Sequence, residues 1–373
     1  MTLPPYWKVK REVTRIRNQM SRVAADFYEP PLRILHKRWL ETKARPLTGK
    51  LPVGPKVAIL VVYQPKGIAR SLFLTADHLI QQGYSPFILC NMPLMDDDRT
   101  ALLARAALLL ERPNFGYDFG AYQDGIRLLE KLGCKPDRLI LMNDSTWFPL
   151  RANDTSIARM EASGDAFTGQ VEKIEPDLRH RKRIDHIESH LLMFTKTAIE
   201  GRDFREFWKN YSASSNRENT IKRGEKRLSA AMFNAGFRSE GLLSRKKFLS
   251  GLTTLSYDDL CTVISETCDV RGDVTNKITQ LIQQAQNTPE WRNEVMRGLE
   301  ELVFTHNFLL STAFVFASMK FLDLGFVKKG KEEIVHLTQQ KVLGLAADGK
   351  IAQLDPSVLL EIEQAVAQWT RQT

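Results

Sequence analysis

Leu139-Ile-Leu-Met-Asn-Asp-Ser-Thr-Trp147 begins as an unbroken apolar run of strand length and ends in three adjacent polar side chains. Such a run suits a strand covered on both faces, as strands of parallel sheets are. Upstream, Asn114-Phe-Gly-Tyr-Asp-Phe-Gly-Ala-Tyr122 likewise sets an acidic residue where an apolar segment gives out. In an open parallel sheet the loops at the carboxyl ends of the strands converge on one crevice while the strands stay buried. Asp118 and Asp144 are therefore the first site candidates.

Working outward, Val57-Ala-Ile-Leu-Val-Val-Tyr63 is a second continuous apolar run. Arg70 to Gln82 reads as a helix, Pro86 to Cys90 as a strand, and Asp96 to Ala106 as a helix running into apolar Ala107 to Leu110. Ala121 to Leu132 is helical up to Gly133, and Arg138 to Met142 is the next strand. This alternation implies an α/β protein with a doubly wound, mostly parallel sheet. Beyond Leu150 the pattern loosens. Ala166 to Val171 and His186 to Phe194 read as strands, the latter with His186, Glu188 and His190 on one alternating face, and Arg179-His-Arg-Lys-Arg183 reads as a basic loop between them. Phe204 to Tyr211 and Lys226 to Ala235 read as helices. From Tyr257 the chain is mostly helical, with starts at Thr288-Pro289-Glu290 and Asp355-Pro356, where a capping side chain precedes proline at the first helical position.

The net charge of +9 is unevenly spread, since residues 1–50 hold 12 Lys+Arg against 4 Asp+Glu. There Val9, Val13, Ile16, Met20, Val23 and Phe27 recur at alternating steps of four and three, a narrow apolar stripe on a basic helix. Pro30 and Pro31 are expected to end it. A shorter basic stretch, Leu32 to Lys43, precedes a linker at Pro46 to Pro55. The stripe suits either an anionic membrane surface or packing against protein.

Composition, 43% hydrophobic and 26% charged, is that of a globular protein, with no run of about 18 apolar residues able to span a bilayer. Lys8, Lys10, Arg11, Arg15 and Arg17 fall where a signal peptide needs aliphatic residues, so a cytosolic location is expected. Cys90, Cys134, Cys261 and Cys268 form no CxxC pair and read as buried reduced thiols. Neither the GxGxxG nor the P-loop fingerprint occurs, which argues against a nicotinamide dehydrogenase. The basic charge lacks interleaved aromatic platforms, so no nucleic-acid partner is expected.

Asn114, Gly116 and Asp118 suit a tight loop near a ligand, and Asp118 suits a helix cap. Asn143, Asp144 and Ser145 offer adjacent oxygens to a hydrated divalent cation or a ribose, or cap a helix. Trp147 offers a face to a sugar ring or fills the core. Asp96, Asp97 and Asp98 open a helix, where carboxylates favour the positive end of its dipole. Arg181 and Arg183 of the basic loop suit a departing diphosphate or plain solvation.

Taken together and in order, these segments resemble the rhamnan synthesis protein F family of bacterial polysaccharide glycosyltransferases. The matching residues are Val57 to Tyr63, Asn114 to Tyr122 with Asp124-Gly125, Leu141-Met-Asn-Asp-Ser145 with Pro149, and His186 with Ser189 to Phe194. Gly325-Phe-Val-Lys-Lys329 is a weaker match to the family's closing segment. The resemblance covers about residues 55 to 335. It implies a GT-A-like, Rossmann-type fold flanked by helices, with residues 55–150 holding a nucleoside-diphosphate sugar and 151–335 completing an acceptor side. The basic arm (1–50) and the C-terminal helices (336–373) lie outside it. In that fold an Asp-x-Asp at a strand end usually holds Mg2+ or Mn2+. This chain has Asn143-Asp144-Ser145 instead.

The resemblance then implies roles. Asp144, with Asn143 and Ser145, would serve the donor diphosphate or its metal. Asp118, Asn114, Gly116, Tyr122 and Trp147 would serve the nucleotide or sugar. His186, His190, Arg181 and Arg183 would serve the leaving group, and Glu188 and Asp185 are the candidate bases. A lipid-linked glycan acceptor at the inner membrane face, a rhamnose-like deoxyhexose donor and an anionic membrane contact through residues 1–50 complete the expectation. The alternative is a noncatalytic scaffold of the same fold in a polysaccharide assembly complex.

Overall fold

A computed structural model describes residues 6–177, 182–268, 272–284, 286–305 and 310–371. Its strands are β1 (Leu47–Thr48), β2 (Lys56–Val62), β3 (Ser85–Cys90), β4 (Leu108–Glu111), β5 (Arg138–Asn143), β6 (Thr146–Trp147), β7 (Phe167–Gly169), β8 (Glu172–Asp177), β9 (Lys182–Ile187), β10 (Leu191–Thr195) and β11 (Val327–Lys328). Seven of these form one sheet in the order β1-β4-β3-β2-β5-β10-β7. The central pairs β4–β3, β3–β2 and β2–β5 are parallel, whereas β1, β10 and β7 join antiparallel. Helices Arg70–Gln81 and Tyr117–Lys131 lie between the parallel strands in sequence.

Val57 to Val62 are all 0% exposed because each face of β2 is covered. On one face Leu60, Met142 and Met193 pack with Leu324, Val342, Leu345, Val358 and Ile362. The helices Glu333–Ala347 and Pro356–Thr370 thus share the main core. On the other face Ile59, Leu141 and Phe194 pack with Phe119, Tyr122, Trp208, Leu228 and Met232. The cysteines are all free, but only Cys90 and Cys268 are buried as expected, Cys134 and Cys261 being partly exposed.

Three sequence expectations are corrected. Pro30 and Pro31 do not end the first helix, which runs from Tyr6 to Thr42. An interior proline costs about 3 kcal/mol, and contacts on both sides of the pair offset it. Glu29, 0% exposed, accepts from Ser214 Oγ at 2.7 Å and Ser215 N at 2.8 Å, while Arg33 Nε donates to the Ala213 carbonyl at 2.7 Å. Second, Leu108 to Glu111 is a strand, not a continuation of helix Asp96–Leu103. Leucine favours helix locally, but pairing with Phe87 to Cys90 decides. Third, His186 to Phe194 is two strands. β9 leaves the sheet to pair with β8, β10 pairs with β5 and β7, and Glu188, Ser189 and His190 form the break between them. The shared strand face expected for His186, Glu188 and His190 is therefore absent.

Candidate active site

The sheet order reverses at β2: the chain proceeds from β2 to β3 and β4 on one side, then returns to place β5 on the other. That is a topological switch point, where a crevice opens outside the carboxyl ends of the strands. A cavity of about 470 Å³ lies there. Asn143 and Ser145 from the end of β5, Tyr117 and Asp118 from the start of helix Tyr117–Lys131, and Glu188 and His190 from the β9–β10 break all line it.

Asp118 is half-buried, and its Oδ2 accepts from Asn143 Nδ2 at 2.9 Å. Burial and the nearby Asp144 carboxylate push its pKa up to about 7, against the pull of Arg112. It does not cap the helix. Gly116 takes the cap position at φ +81°, where a Cβ would lie 2.8 Å from that of Ala213. Tyr117 follows at φ +51° and is 39% exposed, a strained aromatic at the cleft mouth.

Nor does Asn143-Asp144-Ser145 cap a helix, because β6 follows it. Asn143 Oδ1 accepts from Ser145 N at 3.1 Å, a local turn that holds the amide toward Asp118. Asp144 sits at the same rim but is not among the residues lining the cavity. Its Oδ2 accepts from the Tyr63 N–H at 3.0 Å. Burial raises its pKa, against the Tyr63 N–H, Lys329 and Gln64, which lower it.

Glu188 and His190 are 6% and 5% exposed. Glu188 Oε2 lies 2.8 Å from Lys328 Nζ and 3.6 Å from His190 Nδ1. Burial would raise the Glu188 carboxyl, but the Lys328 ammonium outweighs it and holds the group below its ordinary value. Burial pushes His190 down to about 4, so it is neutral near pH 7, with its Nε2 2.9 Å from Gln170 Oε1. Glu225 faces the cleft from a π-helical turn, Ile221–Lys226. It accepts from Ser189 N at 2.8 Å and Ser189 Oγ at 2.7 Å. Burial works against ionisation of Glu225, yet His186 and Ser189 hold it at about 2.

The other expected site residues lie elsewhere. His186, 0% exposed, does not line the cavity and approaches it only through Glu225, 3.2 Å from its Nε2. Asp185 pairs with Arg238 away from the cleft. Tyr122 is buried and donates its hydroxyl to the Ser189 carbonyl at 3.0 Å. Trp147 is 4% exposed, donates to Glu361 Oε2 at 2.9 Å, and has Lys329 Nζ 5.3 Å from its ring centroid. Its face is covered, as the core-tryptophan alternative requires. Asn114 is exposed on the incoming loop and does not line the cavity. Arg181 lies outside the described residues, and Arg183 belongs to β9. Tyr117, Arg217, Glu225 and Lys328 line the cavity without having been singled out from sequence as site residues. Lys328 and Lys329 had a signal in the Gly325–Lys329 segment; Glu225 had none.

The donor set for a divalent cation is thin, with one oxygen left free on each of Asp118 and Asp144. One Asp144 oxygen is engaged with a backbone N–H and one Asp118 oxygen with the Asn143 amide. No group of three or more His, Cys, Asp or Glu side chains able to hold a metal occurs among the described residues.

A mostly parallel seven-stranded sheet flanked by helices, with a charged cleft at its switch point, is a doubly wound α/β fold, consistent with the GT-A-like expectation. The chain belongs to the rhamnan synthesis protein F family, whose model matches residues 87–273. That span contains the Asn114–Tyr122 and Asn143–Ser145 segments and leaves Val57–Tyr63 and Gly325–Lys329 outside. An uncharacterized protein of Sinorhizobium fredii is 29% identical over 257 residues, which cover 69% of this chain and 66% of that protein. The chain thus matches just under two thirds of that relative's length. Two solved structures are similar at low TM-scores. The mannosyltransferase Ktr4p from S. cerevisiae is 10% identical at TM-score 0.29, over 55% of this chain and 76% of its own. The mannosyltransferase PcManGT from Pyrobaculum calidifontis, in complex with GDP-Man and Mn2+, is 13% identical at TM-score 0.30, over 95% and 92%. Likeness at this level says nothing about the chemistry of the cleft.

Proposed function

We propose that this protein is a glycosyltransferase that moves a hexosyl or deoxyhexosyl group, rhamnose being the family-level choice, from a nucleoside-diphosphate sugar to a glycan acceptor in cell-surface polysaccharide assembly. The observation that carries it is the Asn143–Asp118 pair at the switch point of the sheet, opening on a cleft large enough for a sugar nucleotide. Family membership supports the same reading.

Within that reading the cleft divides the work. Tyr117 offers its exposed ring to the nucleobase or sugar. Asn143 and Ser145 meet the ribose or diphosphate. The acceptor hydroxyl needs a base whose pKa lies near the working pH. Asp118, at about 7, suits that role better than Glu188, which Lys328 keeps ionised and weakly basic. Glu188 and His190 then orient the acceptor.

The acceptor is proposed to be lipid-linked, with the first helix lying on the anionic inner face of the membrane. Among the described residues no helix is long and apolar enough to cross a bilayer. One face of the first helix, with Ala25, Glu29 and Arg33, docks on the domain, while Met20, Val23, Phe27 and Ile34 are 67%, 50%, 82% and 70% exposed on the other. The excess of Lys and Arg in residues 1–50 opposes pairing of two copies and favours anionic lipid, at about 1 kcal/mol per well-placed cation.

Thermal-shift measurements with nucleoside diphosphates and their sugars test the enzymatic reading. Stabilisation by one base or sugar, followed by release of the matching diphosphate with a glycan acceptor, is the expected result. A chain that no nucleotide stabilises would be a scaffold.

A further inference from the structure

Lys329 lines the cleft beside the Asn143-Asp144-Ser145 turn. Its position is set by main chain: the Lys329 N–H donates to the Ser145 carbonyl at 2.8 Å, Lys328 pairs with Thr146, and Val327 pairs with Trp147. The β6–β11 ribbon thus ties this lysine to the residue that follows Asp144. Its ammonium is seated over the Trp147 ring, 5.3 Å from the centroid, and lines the cleft. Two other cations at the cleft already face carboxylates. Lys328 is 2.8 Å from Glu188, and Arg217 is 3.6 Å from Glu332. Lys329 is different: no carboxylate lies within ion-pair distance of its ammonium among the described residues, although Asp144 and Glu361 act on it from further away. Burial disfavours the charge, so an incoming anion has the most to gain there.

We propose that Lys329 supplies the positive charge that holds the donor diphosphate, in place of a divalent cation, for which Asn143-Asp144-Ser145 offers a thin donor set. This rests on the nucleotide-sugar reading above. In the transfer, the bond between the anomeric carbon and the phosphate oxygen breaks as the acceptor oxygen bonds to that carbon. The acceptor proton goes to Asp118. The electron pair of the broken bond stays on the departing nucleoside diphosphate, and Lys329 offsets the added negative charge. Asp144 acts through the lysine as a positioning residue, its field opposing the loss of charge that burial favours. The contribution does not depend on which base or sugar the donor carries, because the diphosphate is common to all of them.

Calorimetric titration of the full chain with UDP, GDP, CDP and dTDP, first in EDTA and then in Mg2+ or Mn2+, tests the assignment. At least one nucleotide is expected to bind in EDTA, with Kd changed by less than about threefold on adding metal. Lys329→Met should weaken that binding by about tenfold or more, and Lys329→Arg should restore most of it. If the Met variant fails to fold, Lys329→Gln carries the same expectation. Binding only in the presence of metal would overturn the lysine assignment and leave the nucleotide-sugar reading standing. Unchanged affinity of Lys329→Met in EDTA would overturn it equally. Absence of binding under every condition would sink both.

Discussion

Asn143 donates its side-chain amide to Asp118 Oδ2 at 2.9 Å, and this one bond joins the end of the fifth strand to the start of the helix that covers it. It leaves the second Asp118 oxygen for an acceptor hydroxyl. With the Asp118 pKa raised to about 7, the group becomes a base only as pH rises past that value. A plot of kcat/KM against pH should therefore show an acid limb near 7. Asp118→Asn should remove the limb and lower the rate by about 10²–10⁴-fold. A limb that persists in the variant would assign it to another group. Stability carries the opposite sign: a raised carboxyl pKa favours the folded state at low pH, and that advantage is lost as pH rises from about 4 to about 7.

Gly120 sits one turn into the same helix, where an added Cβ would lie 2.3 Å from the Phe115 carbonyl oxygen and 3.2 Å from its carbon. Backbone cannot yield as a flexible side chain does. Gly120→Ala should cost about 1–3 kcal/mol, read as a fall in the urea midpoint at unchanged m. Gly133→Ala is the contrast. There the space is open but φ is +66°, so the penalty is conformational alone and smaller, about 1 kcal/mol.

Much of this architecture was legible from composition and period, and its failures have physical causes. Val57 to Val62 and Leu139 to Asn143 announced themselves as doubly covered strands because both faces are dry. Asp118 and Asp144 were legible because an acidic group after such a run has few places to go except the rim of the sheet. Lys328, Lys329 and Glu225 were not, because they reach the cleft from a two-residue strand far along the chain and from a π turn, and neither leaves a periodic signal. The unbroken first helix was hidden by Pro30 and Pro31. What overrides them is a carboxylate, Glu29, bonded to residues about 185 positions away.

His190 makes the fold acid-sensitive. Burial lowers its pKa from 6.5 to about 4, so the folded state resists the proton that the unfolded chain accepts. The His190 contribution to stability should therefore fall as pH drops from 6.5 to 4, opposing the gain from Asp118 over much of the same range. Glu225 adds to this lower down: its stabilising ionisation is present above about 4.5 and lost as pH falls toward 2. In denaturant melts across pH 7 to 4, the stability of the parent relative to His190→Gln should fall as the pH drops. An identical slope would place the acid sensitivity elsewhere.

Arg112 and Asp124, 2.8 Å apart and 3% and 1% exposed, form a buried ion pair that His36 of the first helix joins at 2.7 Å from Asp124. Burial works against the charge on both, yet His36 and Arg112 hold the Asp124 carboxyl below its ordinary value. Removing one member strands the other. Arg112→Met should cost about 3–5 kcal/mol. His36→Ala should cost less globally and instead loosen the helix, seen as faster amide exchange over residues 20–42 with the sheet unchanged. Equal loss of protection in both regions would mean that the helix and domain unfold as one unit.

The exposed side of that helix gives the sharpest separation between its two uses. Phe27 is 82% exposed and touches none of the docking contacts that run through Glu29, Arg33 and His36. Phe27→Glu should leave the thermal midpoint within about 1 °C, as surface substitutions do. The same change puts a carboxylate on the face offered to lipid and removes a large apolar ring from it, so sedimentation with phosphatidylglycerol-rich vesicles should fall by about tenfold. Raising the salt should weaken binding of the parent in the same assay, since its long-range part is electrostatic. Undiminished vesicle binding by Phe27→Glu, or none by the parent, would remove the membrane from the account and return this face to a protein partner.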